Sequence, residues 1–310
     1  MINENIVIGA ETNFPLNGIL TIPDGTNGLI PAVVLVHGSG PSNRDEKVGN
    51  ITPFKDLAEG LSEKGIAVLR YDKRTFVYGK QMKNDNGLSV KEETIEDAIL
   101  AADLLRKDKR IDANQIFILG HSMGGMLAPR IDAEGGHFAG IIIMAGSPRK
   151  LEELMMDQNE DVLNSLNWML RLIAKKQIAK LTSKFHRIYS LTDEEAKSTL
   201  VLGKYVRAFY FKEMGEHQAI QYLLSEPHKP VLIMQGDKDF QVSVQKDFNA
   251  YQTLLSEIPN ITYKLYPNLN HAFMPSVYGE ILKAKKEYKV AQQVDQQVIN
   301  DIADWILMIK

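Results

Sequence analysis

The stretch that most constrains this chain is Gly120-His121-Ser122-Met123-Gly124. An apolar run before it, Ile116-Phe117-Ile118-Leu119, reads as a buried strand, and Met123, Met126, Leu127 and Ile131 after it are spaced as one face of a helix. A strand that turns into a helix with no loop between forces the middle residue into a strained backbone conformation. Neighbouring side chains collide there, so glycine is needed two positions before and two after it. Such a turn holds the Ser122 hydroxyl at the top of a sheet and at the N-terminus of a helix. A G-x-S-x-G pattern arises by chance roughly 0.1 times in a chain of this length, so the pattern alone is only suggestive. Its strand-to-helix setting separates it from a glycine-rich turn with an idle serine.

Around this turn, strand and helix patterns alternate. Two strands, Asn5 to Gly9 and Leu16 to Ile22, form an antiparallel pair closed by turns. Ala32 to Val36 is a β-branched run suited to burial on both faces. Thr52 caps a helix with Pro53 at its first position, and Gly65 ends it. Further strands are predicted at Ile66 to Asp72, Phe138 to Ala145, Pro230 to Gln235 and Ile261 to Tyr266. Helices are predicted at 91–108, Val244 to Leu255 and 290–309, and 73–90 reads as a loose polar connection. This alternation implies an α/β fold, a doubly wound and mostly parallel sheet covered by helices on both faces. Residues 147–228 break the pattern. They hold helical spacing (Leu163, Leu166, Met169, Leu170, Ile173), a capping box at Thr192 to Glu195 and an aromatic cluster at Phe209, Tyr210 and Phe211. The segment reads as a helical insertion, leaving 1–146 and 229–310 as the core.

A serine hydroxyl attacks only when a base removes its proton, a carboxylate orients that base, and donors receive the oxyanion. The acid is sought after the strand ending at Gln235, where Asp237 and Asp239 compete. Asp239 lies further from the strand end, where the loop can turn it toward a base, and Asp237 suits support of the turn. Of the seven histidines, His271 alone follows these aspartates, directly after the last core strand. His121 adjoins the serine but points elsewhere, because adjacent side chains diverge. For the oxyanion, Met123 offers the N–H after the serine. The glycine-rich loop His37-Gly38-Ser39-Gly40-Pro41 offers a second, from Ser39 or failing that Gly40, with His37 bracing the loop. Arg70-Tyr71-Asp72-Lys73-Arg74 reads as a salt-bridge network. The aromatics at 209–211 read as packing for the insertion, with an acyl pocket as the alternative.

No metal or other cofactor is called for. With no cysteine, disulfides and thiolate sites are excluded, and a reducing, cytoplasmic setting is expected. No secretory signal and no membrane-spanning run is visible. A net charge of −3 gives no pull toward nucleic acid. The partner expected is a small-molecule ester, and a homodimer is compatible with that reading.

HGSGP (37–41) with NRDE (43–46), RYDKR (70–74), GHSMGG (120–125), GDKDFQV (236–242) and NHAF (270–273) together resemble the α/β-hydrolase superfamily. The chain is most similar to bacterial carboxylesterases near its dienelactone hydrolase and serine aminopeptidase branches. The resemblance implies Ser122, Asp239 and His271 as a catalytic triad, Ser39 and Met123 as oxyanion donors, and a lid built from 147–228. It implies cleavage of carboxylic esters of small or medium acyl groups through an acyl-enzyme. Thioester hydrolysis, acyl transfer and aminopeptidase action use the same residues. A non-catalytic binding protein on this scaffold is the reading from another class, and such proteins usually lack a triad residue.

Overall fold

The computed structural model describes residues 1–25, 28–203 and 205–309. Its strands are β1 (Ile2–Ile8), β2 (Leu16–Ile22), β3 (Ile30–Val36), β4 (Ala67–Tyr71), β5 (Ile111–His121), β6 (Gly140–Met144), β7 (Leu200–Leu202), β8 (Val206–Arg207), β9 (Val231–Gly236) and β10 (Ile261–Tyr266). Helices α1 (Pro53–Ser62), α2 (Arg74–Met82), α3 (Glu96–Lys107) and α4 (Met123–Ile131) lie in the first half. They are followed by α5 (Leu151–Ser165), α6 (Trp168–Arg187), α7 (Asp193–Ser198), α8 (Ala208–Glu216), α9 (Ala219–Ser225), α10 (Asn249–Leu254), α11 (Ala284–Glu287) and α12 (Gln296–Met308).

Eight strands form one sheet in the order β1-β2-β4-β3-β5-β6-β9-β10. β2 pairs antiparallel with β1 and β4, and every other neighbouring pair is parallel. The doubly wound, mostly parallel sheet read from the alternation is therefore present. Successive residues of the central strands feed opposite faces, as a pleat requires. Val34, Val36 and Ile118 pack with Ala98, Leu105, Leu127 and Tyr251 on one face. Val33, Leu35 and Leu119 pack with Phe54, Leu61, Ile302 and Trp305 on the other. Each such side chain, removed from water, contributes about 1.5–3 kcal/mol before chain entropy is subtracted.

Three local readings change. The stretch taken as a loose connection contains α2, whose Phe76 and Val77 stay exposed, so it shows no core-facing stripe. β5 begins at Ile111, well before its apolar run, because Asp112 to Gln115 lie at the solvent-facing end of the strand. The last helix starts at Gln296, capped by the Asp295 side chain, and not near 290.

Between β6 and β9 the chain leaves the sheet, forming α5 to α9 and the small antiparallel pair β7–β8. This block has its own apolar cluster around Phe185, Ile188, Ala196 and Phe211. The capping box at Thr192 is formed, with Glu195 accepting from the Thr192 N–H at 2.8 Å. Among the described residues, no helix is long and apolar enough to cross a membrane.

Candidate active site

Ser122 joins β5 directly to α4 with φ 55° and ψ −118°, a conformation costing about 1–3 kcal/mol that the surroundings must impose. The flanking glycines make the turn possible. A Cβ on Gly120 would fall 2.1 Å from the Gly124 carbonyl oxygen, and one on Gly124 would fall 2.2 Å from the Val36 carbonyl oxygen. The Ser122 N–H donates to the Met144 carbonyl at 2.8 Å, stitching the elbow to β6.

Asp239 and His271 come from the loops after β9 and β10, adjacent parallel strands held in register by Val231 opposite Ile261. His271 Nδ1 lies 2.7 Å from Asp239 Oδ2, which also accepts from Gln235 Nε2 at 2.7 Å. Asp239 Oδ1 accepts the N–H groups of Gln241 at 2.7 Å and Val242 at 3.0 Å. This buried carboxylate is thus fully hydrogen-bonded and acts as a fixed acceptor for the imidazole. Asp237 is a third exposed at its side chain and accepts the Asn268 N–H at 2.6 Å, bracing the turn away from His271. The His271 loop is held from beneath. Asn270 Oδ1 accepts from Ala272 and Met274, and the buried Glu287 accepts from Asn270 Nδ2 at 3.0 Å.

The loop after β3 passes directly over the serine. A Cβ on Gly38 would lie 3.2 Å from Ser122 Cβ, a tight contact that a larger residue would have to relieve by displacing the serine or the loop. Glu46, itself left-handed at φ 50°, turns its carboxylate back so that Oε1 accepts the Gly38 N–H at 2.9 Å. Its Oε2 lies 2.9 Å from His121 Nδ1, an ion pair more than an aligned hydrogen bond. Burial pushes the His121 imidazole toward neutrality, but Glu46 together with the His271 carbonyl and the Asp239 charge outweighs it, and the imidazole is raised from its ordinary value. Burial likewise opposes the Glu46 carboxylate, yet His121 holds it below the usual range. His121 Nε2 then donates to the His271 carbonyl at 2.9 Å. One buried pair thereby ties the loop over the serine to the loop carrying His271. His37 braces the same loop through Nε2, which donates to the Asn43 carbonyl at 3.0 Å, and burial lowers its imidazole to about 4. Among the described residues, the N–H groups of Ser39, Gly40 and Met123 have no acceptor.

A cavity of about 1070 Å³ opens beside Ser122, Ser39 and Met123. The core walls it through Phe76 and Met126, and the insertion through Leu154, Met155, Tyr210 and Phe211. The aromatic cluster packs the insertion, as read from the sequence, and two of its rings also wall this cavity. Phe211 packs on Phe185 with ring centroids 5.1 Å apart, and Tyr210 and Phe211 line the cavity. Among the described residues, no cluster of three or more His, Asp or Glu side chains is arranged to hold a metal ion.

The structure brings His271 and Asp239 together and sets Ser39 and Met123 beside Ser122. Sequence reasoning passed over Glu46, Gln235, Asn270 and Glu287. The only trace of Glu46 was its place in the polar run after HGSGP, which does not reveal that the chain doubles back on itself there. RYDKR is indeed an ion-pair network, with Arg70 on Asp45, Asp72 on Arg44, Lys73 on Glu93 and Arg74 on Asp97.

The family model described as "Serine aminopeptidase, S33" matches residues 31–275. Esterase EstD of Thermotoga maritima is 37% identical over 300 residues, which is 96% of this chain and 67% of that protein. Among solved structures, Est1E from Butyrivibrio proteoclasticus superposes with a TM-score of 0.56 at 16% identity, covering 96% of this chain and 99% of its own. Dienelactone hydrolase from Anabaena variabilis gives 0.54 at 16% identity, covering 99% and 98%.

Proposed function

The chain belongs to the S33 serine aminopeptidase family of α/β-hydrolases and is a carboxylesterase-type serine hydrolase, and from that premise we propose that Ser122, His271 and Asp239 are its catalytic triad. The observation that carries this reading is the Asp239–His271 pair at 2.7 Å, on a loop bonded through His121 to the elbow that strains Ser122.

The chemistry follows from the atoms. With Asp239 accepting at Nδ1–H, the lone pair of His271 sits on Nε2, the nitrogen suited to take the Ser122 proton. The serine oxygen adds to the ester carbonyl, and the charge on the carbonyl oxygen is received by the N–H groups of Ser39 and Met123. The oxyanion collapses, the carbon–alkoxy bond breaks, and His271 returns its proton to the departing alcohol. Water then adds to the acyl-enzyme by the same route and frees the acid and Ser122. No cofactor is required by these steps.

The acyl group occupies the apolar cavity, and the insertion acts as a lid over it. A volume of about 1070 Å³ accommodates small and medium acyl chains with their alcohol groups. Ester cleavage is favoured over aminopeptidase action by the 37% identity to an esterase over 96% of the chain, and aminopeptidase action would need a free carboxylate to hold the substrate's amino terminus. The acidic groups lining the cavity among the described residues are Glu93 and Asp85. Glu93 is paired with Lys73 at 2.9 Å and Tyr210 at 2.5 Å, whereas Asp85 is exposed, accepts only the Gly87 N–H and has no cation paired with it among the described residues.

A fluorophosphonate probe is expected to label the wild-type protein and not Ser122→Ala. In a panel of p-nitrophenyl acyl esters, acyl-CoAs and aminoacyl anilides, turnover should be confined to esters. Turnover of anilides with none of esters would overturn the substrate class. Labelling that survives Ser122→Ala would overturn the nucleophile.

A further inference from the structure

Lys73 is almost fully buried just after β4, at the residue that precedes α2, and the reaction as written does not use it. Its Nζ donates to the Gly38 carbonyl at 2.9 Å and pairs with Glu93 Oε1 at 2.9 Å. Glu93 in turn accepts from the Tyr210 hydroxyl, which lies 3.4 Å from Met123 Sδ. A buried cation is costly unless it is paired and hydrogen-bonded, and this one spends a bond on a single peptide oxygen. That oxygen belongs to the peptide unit whose other end is the Ser39 N–H. In a planar trans peptide the carbonyl and the N–H point in opposite directions, so fixing one aims the other. The preceding peptide is fixed as well, by Glu46 on the Gly38 N–H.

We propose that Lys73 is the positioning residue of the oxyanion hole: its ammonium pins the Gly38 carbonyl away from the serine and so presents the Ser39 N–H to the developing oxyanion. Without this contact the 38–39 peptide is free to rotate and turn a carbonyl oxygen toward the site. The cationic donor also polarises the peptide and strengthens its N–H as a donor. The insertion reaches this arrangement through Tyr210 and Glu93, so the ordering of the hole and the seating of the insertion share one ion pair. The inference rests on Ser39 as an oxyanion donor.

The test compares hydrolysis of a p-nitrophenyl acyl ester with that of its thiono analogue. A thiocarbonyl sulfur is a weak acceptor, so its reaction draws little from N–H donors. Both rates are normalised to the rates of the same pair in hydroxide. Lys73→Met combined with Glu93→Gln leaves no unpaired buried charge. It should lower kcat on the oxygen ester about 10–100-fold with KM within about threefold, and shrink the oxygen-to-sulfur preference at least about fivefold. Lys73→Gln combined with Glu93→Gln, in which the side chain at 73 is one bond too short for the Gly38 carbonyl and no buried charge is left unpaired, provides a second variant with the same expected loss of preference. A preference unchanged in both variants, whether or not the rates fall, overturns the role of Lys73. A wild-type preference no larger than that of hydroxide instead overturns the Ser39 and Met123 assignment beneath it.

Discussion

Replacing Asp239 by Asn exchanges one oxygen for an NH₂ group, removes the charge and reverses the direction of two hydrogen bonds. In the wild type, Oδ1 accepts from the Gln241 and Val242 N–H groups, and Oδ2 faces two donors, Gln235 Nε2 and His271 Nδ1. Asn keeps the first oxygen and sets an NH₂ where the second stood. Gln235 can turn its amide to offer an oxygen, at the loss of its 3.3 Å bond to the Val242 carbonyl. His271 can respond only by becoming an acceptor at Nδ1, which moves its proton to Nε2. The nitrogen that should take the serine proton then already carries one. A triad base held in the wrong tautomer costs about 10⁴ in kcat, or about 5.5 kcal/mol of transition-state stabilisation. Stability should fall by about 2–4 kcal/mol, because charge-assisted bonds give way to neutral ones. The control is Asp237→Asn, where the retained oxygen still accepts from Asn268, and kcat should stay within about threefold. Steady-state turnover of a p-nitrophenyl ester, with thermal unfolding of each variant, measures both effects. Asp239→Asn turning over within tenfold of wild type, or Asp237→Asn being the more damaged, would refute the reasoning and move the acid to Asp237.

Other consequences follow from the same geometry. Ser122→Gly should abolish turnover while raising stability by about 1 kcal/mol, since glycine adopts φ 55° without strain; a lowered melting temperature counts against a strained elbow. Gly124→Ala should cost more than about 3 kcal/mol or prevent folding, because its Cβ would meet the Val36 carbonyl oxygen at 2.2 Å; soluble expression and denaturant titration read this out. His37 is buried and neutral with its imidazole lowered to about 4, whereas in the unfolded chain it titrates near 6.5. Between those values the unfolded state binds the extra proton, so stability is lost as pH falls from about 6.5 to about 4, by up to about 3 kcal/mol. His37→Gln should flatten that part of the stability–pH curve, and an unchanged slope would assign the acid sensitivity to other groups. Alanine at both Ser122 and His271 should be little worse for turnover than Ser122→Ala alone, because residues acting as a unit do not add; a further hundredfold loss would mean that they act separately.

The parts of this molecule that were legible in the sequence are those whose physics is local. The elbow shows itself because glycine spacing, an apolar run and a helical stripe meet within a dozen residues. The mostly parallel character of the sheet follows from repeated strand–helix units. Asp239 and His271 can be singled out because each stands in the loop that follows a strand. What sequence does not reveal is the return of a side chain to a distant backbone. Lys73 looks like one charge among several in RYDKR, and nothing in its neighbours tells that its nitrogen ends on Gly38. Glu46 and His121 are 75 positions apart and meet only because the loop after β3 doubles over the elbow. α2 was invisible for the opposite reason, since its apolar side chains face the cavity and solvent and leave no stripe toward a core.

The order in which the chain is made gives the arrangement of the sheet one more meaning. The turn bearing Ser122 and the loop bearing Ser39 follow strands from the middle of the sheet, whereas Asp239 and His271 arrive with β9 and β10, the last strands translated and the outermost on that side. With the proposed triad, a nascent chain carries its alcohol nucleophile through the 149 residues of synthesis from Ser122 to His271 while remaining inert toward esters. In refolding, activity is expected to return only once this outer pair has docked, whatever the state of the central strands.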